Sequence, residues 1–335
     1  MSKHALLGPW VKRFLLDHLI TERNLSRNTQ RSYRDSLALL LPYASAQNKT
    51  PIDRLEVFHL SDDIVRRFLD YLEQNRRCSV RTRNQRLAAV HAVARFIAER
   101  SPEHIAWCGQ IRSLPFKRFP RNELSYLDKP EMDALLAAPD RRTKQGMRDH
   151  ALLLFLYNSG ARVTEAASLT IGDLTLRANQ IGSVQLKGKG SKTRRCPLWP
   201  ATSNELIDLI RNRAPDQPVF LNRLGQALTR HGIHWMLRNY VRAAAVSHPS
   251  LLGRPISPHT IRHTTATHLL RSGVDINTIR AWLGHVSIDT TNIYAEVDLQ
   301  RKADVLAHSN ALRTTNSTCK RWRDDPSLIS FLRSL

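Results

Sequence analysis

The stretch SPHTIRHTTATHLLRSGVDINTIRAWLGHVSIDTTNIYAE, residues 257–296, combines helical patterns with histidine, arginine and tyrosine at suggestive offsets. His259 and Arg262 lie three residues apart, which places them on one face of a helix. His285 follows a glycine at a helix end, and Tyr294 comes nine residues after it. A metal site, a structural core and a phosphate-handling site all use histidine, but each requires different companions.

A zinc site is one alternative, because His263 lies four residues after His259 and two histidines at that spacing can bind one metal. No carboxylate stands between them in the HExxH arrangement, and the charge of Arg262 would repel a cation. We therefore predict no metal, and we interpret His263 and His268 as structural side chains.

The composition points to a polyanionic partner. The 335 residues include 51 Lys and Arg against 29 Asp and Glu, which gives a formal net charge of +22 and a pI near 10.7. This excess is spread over both halves of the chain, as is typical of a folded protein that binds nucleic acid. Four cysteines without a CxxC pair favour reduced thiols rather than a disulfide framework or a zinc site.

The sequence predicts neither a membrane-spanning segment nor a signal peptide. The sequence contains no run of ~18 apolar residues, and its first residues lack the apolar core of a signal peptide. We expect a soluble, cytoplasmic protein of about two domains that makes no membrane contact.

Residues 1–108 are predicted to form a helical domain. Four amphipathic segments follow one another, and Ser26, Ser61 and Ser79 stand as N-caps at three helix starts. The core face of the last helix comprises Leu87, Val90, Val93 and Phe96. Its first turns carry three basic side chains that suit DNA backbone phosphates: Arg81, Arg83 and Arg86.

Residues 109–124 contain two prolines and several basic residues without a helical period, which predicts an extended basic linker. Residues 125–310 are predicted to form a second domain. It is helical except for QIGSVQLKGKGSKTRRCPL, whose alternation around a glycine-rich turn predicts a β-hairpin or a small three-stranded sheet. Residues 311–335 form a tail whose helical pattern PSLISFLRSL either docks on a neighbouring protomer or packs on its own domain.

Two motifs in the second domain precede the opening stretch. SGARVTEAASLTIGDL places Arg162 and Glu165 three residues apart, and we interpret Glu165 as a structural residue that holds Arg162 or a neighbouring backbone group rather than as a general base. LKGKGSKTRRCPL places Lys189 between two glycines at a strand turn. Its fragment GKGSKT lacks the spacing of a nucleotide-binding P-loop, so we predict no nucleotide cofactor.

Taken in order, these motifs resemble one known family, the tyrosine recombinases or phage integrase family, and in particular its Xer-like members. GARVTEAASLTIGDL, KGKGSKTRRCPL, HTIRHTTATHLLRSGVDINTIRAWLGH and TTNIYAEV are similar to its catalytic domain. SRNTQRSYRDSL and SVRTRNQRLAAVHAVARFI are similar to its N-terminal core-binding domain. The resemblance implies a mainly α fold: a helical SAM-like domain and an α+β catalytic domain with a small antiparallel sheet, which together form a C-shaped clamp on DNA.

The resemblance also implies the catalytic residues, which are Arg162, Lys189, His259, Arg262, His285 and Tyr294. The arginines and histidines would bind the phosphate, Lys189 would protonate the leaving 5′ oxygen, and Tyr294 would attack to form a 3′-phosphotyrosine. Lys187 and Lys192 share the turn, so the choice of Lys189 depends on the family's glycine-lysine-glycine pattern. We assign Lys192 to DNA binding, and no metal or other cofactor is expected.

The implied function is site-specific recombination, in which a homotetramer, alone or together with a related recombinase, acts on two double-stranded DNA sites. The tail is longer than that of a plain Xer protein, which favours integration or excision of a mobile element or plasmid. Two alternatives remain open: relaxation of DNA by a type IB topoisomerase-like enzyme, and a DNA-binding regulator without catalytic activity.

Overall fold

The computed structural model describes residues 6–119, 125–188 and 192–284. The chain divides into two compact units, Met1–Asn122 and Glu123–Leu335, and each has its own hydrophobic core. The predicted domain boundaries and the C-shaped arrangement stay predictions. Three predicted catalytic residues and the tail lie outside the described residues: Lys189, His285, Tyr294 and 311–335.

The first unit is helical, as predicted. Its α-helices are α1 (Leu7–Arg13), α2 (Arg27–Asn48), α3 (Asp62–Gln74), α4 (Val80–Ala98) and α5 (Ile105–Arg112), and a π-helix over Phe14–Glu22 follows α1 directly. The three predicted serine caps are confirmed, because Ser26, Ser61 and Ser79 each accept a backbone N–H from the residue three positions later. The local sequence therefore sets where these helices begin.

The core of the first unit includes the predicted face of α4. Leu87, Val90, Val93 and Phe96 are all buried. Phe96 packs edge-on against Trp10 and Phe14, so the first helical segment lies against α4.

The extended linker predicted from residue 109 begins too early. Gly109 to Arg112 belong to α5, which packs against α4. Cys108, Ile111 and Leu114 are buried at intervals of three residues, so this short helix adds an apolar face to the core. The prolines that suggested extended chain come after the helix.

The second unit combines helices with a three-stranded antiparallel sheet, as predicted. The helices are α6 (Lys129–Ala137), α7 (Lys144–Ser159), α8 (Val163–Ala167), α9 (Pro200–Ile210), α10 (Arg230–Ala244), α11 (Pro258–Arg271) and α12 (Ile276–Leu283). The strands are β1 (Leu174–Thr175), β2 (Gly182–Lys187) and β3 (Thr193–Leu198), in the order β1-β2-β3. None of the described helices is long and apolar enough to cross a membrane.

Helix α7 lies at the centre of the second unit and packs against α9, α11 and β3. Most of its residues are buried, and Thr265 Oγ1 of α11 donates to the Tyr157 carbonyl of α7 (2.7 Å). Gly160 ends α7 in the left-handed conformation, with φ of 57°. A Cβ there would stand 2.5 Å from Leu283 Cδ2, so only glycine allows α12 to come this close.

Candidate active site

Arg162 stands at the start of α8, and Glu165 lies in the first turn of the same helix. The Arg162 backbone N–H donates to Glu165 Oε2 (2.8 Å), and Arg162 Nη1 donates to Oε1 (2.9 Å). The Glu165 side chain is 2% exposed, whereas that of Arg162 is 37% exposed. A buried carboxylate therefore holds Arg162, as predicted, while the guanidinium remains accessible to an anion.

Glu165 has a second arginine partner, Arg194 on β3, which the sequence analysis did not single out. Arg194 Nη1 donates to Oε1 (2.9 Å) and Nη2 donates to Oε2 (2.8 Å), a bidentate pair. Burial alone would raise the pKa of the Glu165 carboxyl, but the hydrogen bonds from Arg194 and Arg162 outweigh burial and lower that pKa. Glu165 is therefore a carboxylate shared by two arginines.

One signal in the sequence could have revealed Arg194. Residues of β3 alternate between two faces, and Arg194 shares its face with the buried Cys196 and Leu198. An arginine on the buried face of a strand requires an acidic partner, because an unpaired buried charge is costly.

Arg262 is buried in α11, with 2% of its surface exposed. Its Nη1 donates to the Gly160 carbonyl (2.7 Å) and its Nη2 to the Leu283 carbonyl (2.5 Å). The side chain thus connects the end of α7 to the end of α12. The structure gives Arg262 this structural function, and phosphate binding by the same guanidinium stays a prediction.

Contacts from both core arginines converge on the end of α12. Arg194 Nε donates to the Trp282 carbonyl (2.9 Å), one residue before the carbonyl that Arg262 binds. Cations at a helix C-terminus stabilise the unpaired carbonyls and the negative end of the helix dipole. Gly284 then closes the helix in the left-handed conformation, and the next residue in the chain is His285.

His259 is exposed on the first turn of α11, and its ring meets that of His263 edge-on with centroids 4.2 Å apart. Burial lowers the pKa of His263 to about 4, and the nearby charges of His259 and Arg262 act in the same direction. His263 is therefore neutral at pH 7, which agrees with a structural side chain. Within the described ranges, no group of three or more His, Cys, Asp or Glu side chains could hold a metal ion.

Gly188, the residue that follows β2, lies close to Arg162. The Gly188 N–H donates to the Lys192 carbonyl (2.8 Å), which closes the base of the turn. A Cβ on Gly188 would stand 3.3 Å from Glu165 Oε1 and 3.7 Å from Arg162 Nη1. The chain therefore enters the turn of Lys189 beside the Arg162–Glu165 pair.

The other two lysines of this hairpin are exposed. Lys187 forms an ion pair with Asp173 (3.1 Å), whereas Lys192 stands at the exposed start of the returning chain. DNA binding by Lys192 stays a prediction.

The three arginines predicted to bind DNA in the first turns of α4 differ in exposure. Arg81 is exposed and Arg86 is half-buried, and their DNA contacts stay predictions. Arg83 is 5% exposed, and its Nη1 donates to the Pro115 carbonyl (3.0 Å) and to Asn84 Oδ1 (3.1 Å). The phosphate-facing position predicted for Arg83 is wrong, because this side chain holds the segment after α5 against α4.

Family comparisons cover both units. Residues 125–301 match the phage integrase family, and residues 11–101 match the phage integrase N-terminal SAM-like domain. The chain belongs to the phage integrase family and is a tyrosine recombinase.

Three relatives match this chain over most of the length of both proteins. A putative integrase/recombinase of Sinorhizobium fredii, y4rC, is 38% identical over 337 residues and covers 100% of both chains. The tyrosine recombinase XerC of Pelobacter propionicus is 33% identical over 313 residues, which are 90% of this chain and 95% of the relative. XerD of Listeria innocua is 33% identical over 306 residues, 87% of this chain and 95% of the relative.

Solved structures show the same fold at lower identity. The XerH site-specific recombinase bound to a palindromic difH substrate, in a post-cleavage complex, has a TM-score of 0.63 and 21% identity, covering 85% of this chain and 81% of that one. The Tn1549 transposon integrase in complex with transposon right end DNA has a TM-score of 0.68 and 16% identity, covering 90% and 99%. The predicted fold is therefore confirmed.

Proposed function

We propose that the chain cuts and rejoins double-stranded DNA at specific sites through a 3′-phosphotyrosine on Tyr294. One observation carries the proposal: Arg162 is held by a buried carboxylate yet stays partly exposed, beside Gly188, which precedes Lys189 in the chain. Through Glu165, Arg194 links this arginine to the helix end that precedes His285. This arrangement supports a single phosphate-handling site.

The proposed reaction needs a nucleophile, positive charge and an acid. The Tyr294 hydroxyl passes its proton to His259 and its oxygen attacks the scissile phosphorus. The bond to the 5′ oxygen breaks, and Lys189 donates the proton that this leaving oxygen takes up. Arg162 and Arg262 stabilise the negative charge of the transition state on the non-bridging oxygens. A 5′-hydroxyl from the partner strand then attacks the phosphotyrosine, which restores the tyrosine and needs no ATP.

His259 and His285 complete the proposed site. His259 lies exposed on the first turn of α11, and we propose that its ring hydrogen-bonds a phosphate oxygen. Its neighbour His263 stays neutral and adds no charge of its own. His285, directly after Gly284, would supply a second hydrogen bond from the end of α12.

We infer that the substrate is a pair of double-stranded sites held by four protomers, alone or with a related recombinase. The charge of +22, spread over both units, supports binding to the DNA backbone. The XerH and Tn1549 proteins were each solved with a DNA substrate, which supports the same partner for this relative. The two proposed DNA contacts in the first unit are Arg81 and Arg86, and Lys192 is proposed in the second.

Integration or excision of a mobile element or plasmid is the proposed role. A putative integrase/recombinase matches all of this chain, whereas the XerC and XerD relatives match 90% and 87% of it. This difference supports an integrase-type role over resolution of chromosome dimers. The comparisons with recombinases favour neither a topoisomerase nor a catalytically inactive regulator.

The decisive experiment first searches the DNA beside the gene for inverted repeats and then builds a nicked suicide duplex from them. We expect a covalent protein–DNA adduct in EDTA and without ATP, and strand exchange when two intact sites are supplied. Relaxation of supercoiled DNA without strand exchange would instead indicate a topoisomerase. An absolute requirement for Mg²⁺ would contradict the proposed mechanism.

A further inference from the structure

Arg194 occupies a position between two parts of the proposed site. Its two Nη atoms bind the two oxygens of Glu165, and its Nε binds the Trp282 carbonyl at the end of α12. The side chain is 10% exposed. One guanidinium therefore connects β3, the first turn of α8 and the last turn of α12.

The contact with α12 continues to Gly284. A Cβ on Gly284 would lie 2.9 Å from Arg194 Cδ and 3.3 Å from its Nη1, so the Arg194 side chain lies close against this backbone. A side chain cannot be added there unless Arg194 moves. Arg194 therefore contacts the chain at the residue just before His285.

The contact with Glu165 continues to Arg162. The same two carboxylate oxygens accept the backbone N–H and Nη1 of Arg162. Because Glu165 is buried, its orientation depends on the donors that surround it, and Arg194 supplies two of them. A change in Arg194 would therefore alter the orientation of the Arg162 guanidinium.

We propose that Arg194 is a positioning residue that holds Arg162 and the His285 end of α12 in one fixed geometry for DNA cleavage. It acts through Glu165 and the backbone of α12 and does not itself touch the DNA. The proposal rests on the recombinase function argued above and deepens it.

An arginine is required at this position because three contacts diverge from one planar group. The guanidinium presents donors on all three nitrogens, whereas a lysine presents one ammonium. A lysine at 194 would keep a positive charge against Glu165 but would lose the simultaneous contact with Trp282. The Arg194→Lys variant therefore shows whether a positive charge beside Glu165 is sufficient or whether the contact with α12 is also needed.

The test compares Arg194→Lys and Arg194→Gln in the full-length chain. Each variant is examined for thermal unfolding, for DNA affinity and for the single-turnover rate of adduct formation on the nicked suicide duplex at saturating DNA. Rates are measured at a temperature where every variant is folded. Arg195→Gln is the matched control, because the neighbouring Arg195 is exposed on the other face of the same strand.

We expect Arg194→Lys to keep its DNA affinity and to unfold at a lower temperature, because the Trp282 carbonyl loses its partner. At a temperature where it is folded, this variant should form the adduct ~10–100-fold more slowly, since a displacement of about 1 Å at a catalytic group can cost ~10²-fold. Arg194→Gln should be at least as slow. Arg195→Gln should cleave at the normal rate once DNA is saturating. A normal cleavage rate in folded Arg194→Lys and Arg194→Gln would overturn the proposal.

A second measurement keeps the proposal testable if Arg194→Gln does not fold. Glu165→Gln and the double variant Glu165→Gln/Arg194→Lys are added, so that the two sites form a thermodynamic cycle. If both residues act through one contact, the double variant should be no slower than the slower single variant. Fully multiplicative losses would contradict the shared role, and absence of any adduct with the unmodified chain would instead overturn the proposed function itself.

Discussion

Arg262 donates a hydrogen bond of 2.5 Å from Nη2 to the carbonyl of Leu283, so that a residue of α11 completes the last turn of α12. The second bond of this guanidinium, to Gly160, completes the end of α7. Arg262 therefore stabilises two helix ends, in addition to the phosphate binding proposed for it. Arg162 has no comparable buried position, since over a third of its side chain is exposed.

This difference predicts that substitution of Arg262 lowers stability more than substitution of Arg162. Arg262→Ala should lower the free energy of unfolding, because two buried carbonyls each lose a partner at a cost of about 1–3 kcal/mol. Arg162→Ala should change stability little, because Arg194 still pairs with Glu165. Both variants should lose several orders of magnitude in cleavage, since even one positioned transition-state donor is worth ~10²–10³. Urea unfolding measures the first difference, and equal stability of the two variants would contradict it.

Tyr294→Phe removes only the attacking oxygen. We expect normal affinity for the cognate duplex and no covalent adduct on the suicide substrate, measured by gel shift and by denaturing electrophoresis. Any phosphotyrosine formed by this variant would show that another residue is the nucleophile.

Lys189→Ala should lose cleavage on ordinary DNA and recover it on a 5′-bridging phosphorothiolate, whose sulfur leaves without a proton. Lys187→Ala and Lys192→Ala are the matched controls on the same hairpin. Lys187 already pairs with Asp173, so its removal should leave the substrate preference unchanged. If the phosphorothiolate instead restores cleavage by Lys192→Ala, then Lys192 and not Lys189 is the general acid.

Substitution of an exposed arginine of α4 and of a buried one should have different effects on DNA binding. Arg81→Gln should weaken DNA binding and reduce the slope of log K against log salt by about 1, because each phosphate contact releases counterions. Arg83→Gln should leave that slope unchanged and lower stability, since this buried side chain binds the Pro115 carbonyl. Equal effects of both substitutions on the slope would mean that Arg83 reaches the DNA.

His263 predicts a pH dependence of stability. Its pKa lies near 4 in the folded chain, below the ordinary value of 6.5, because the buried ring resists protonation. The unfolded chain therefore binds the proton more readily, and the free energy of unfolding falls as pH decreases from 6.5 towards 4. The free energy of unfolding of His263→Leu should fall less over the same pH range. Chemical unfolding at several pH values measures it, and an NMR titration of the His263 ring between pH 5 and 8 would contradict the assignment.

Local features of the fold could be predicted from the sequence because they depend on nearby residues. Ser26, Ser61 and Ser79 accept bonds from residues three positions away, and strand alternation indicated the hairpin. The Arg162–Glu165 contact lies within one helical turn and was predicted for the same reason.

Contacts between distant segments could not be predicted in this way. Arg194 contacts a carboxylate 29 positions away and a carbonyl 88 positions away. The spacing of residues along the chain does not indicate such distant pairs. Arg83 was assigned to DNA because a helix start and a positive charge both favour phosphate, but the segment after α5 covers it. Only the folded chain distinguishes a buried arginine from an exposed one at these positions.

Cys196 lies on β3 two residues after Arg194, opposite Val184 of β2, and is fully buried. Burial raises the pKa of its thiol to about 12, so it is protonated and unreactive while the sheet is intact. The chain thus carries a natural chemical probe beside its proposed site. The alkylation rate of this one thiol, followed by peptide mass mapping, would report how often the hairpin opens, with and without DNA, in a protein that needs no added label.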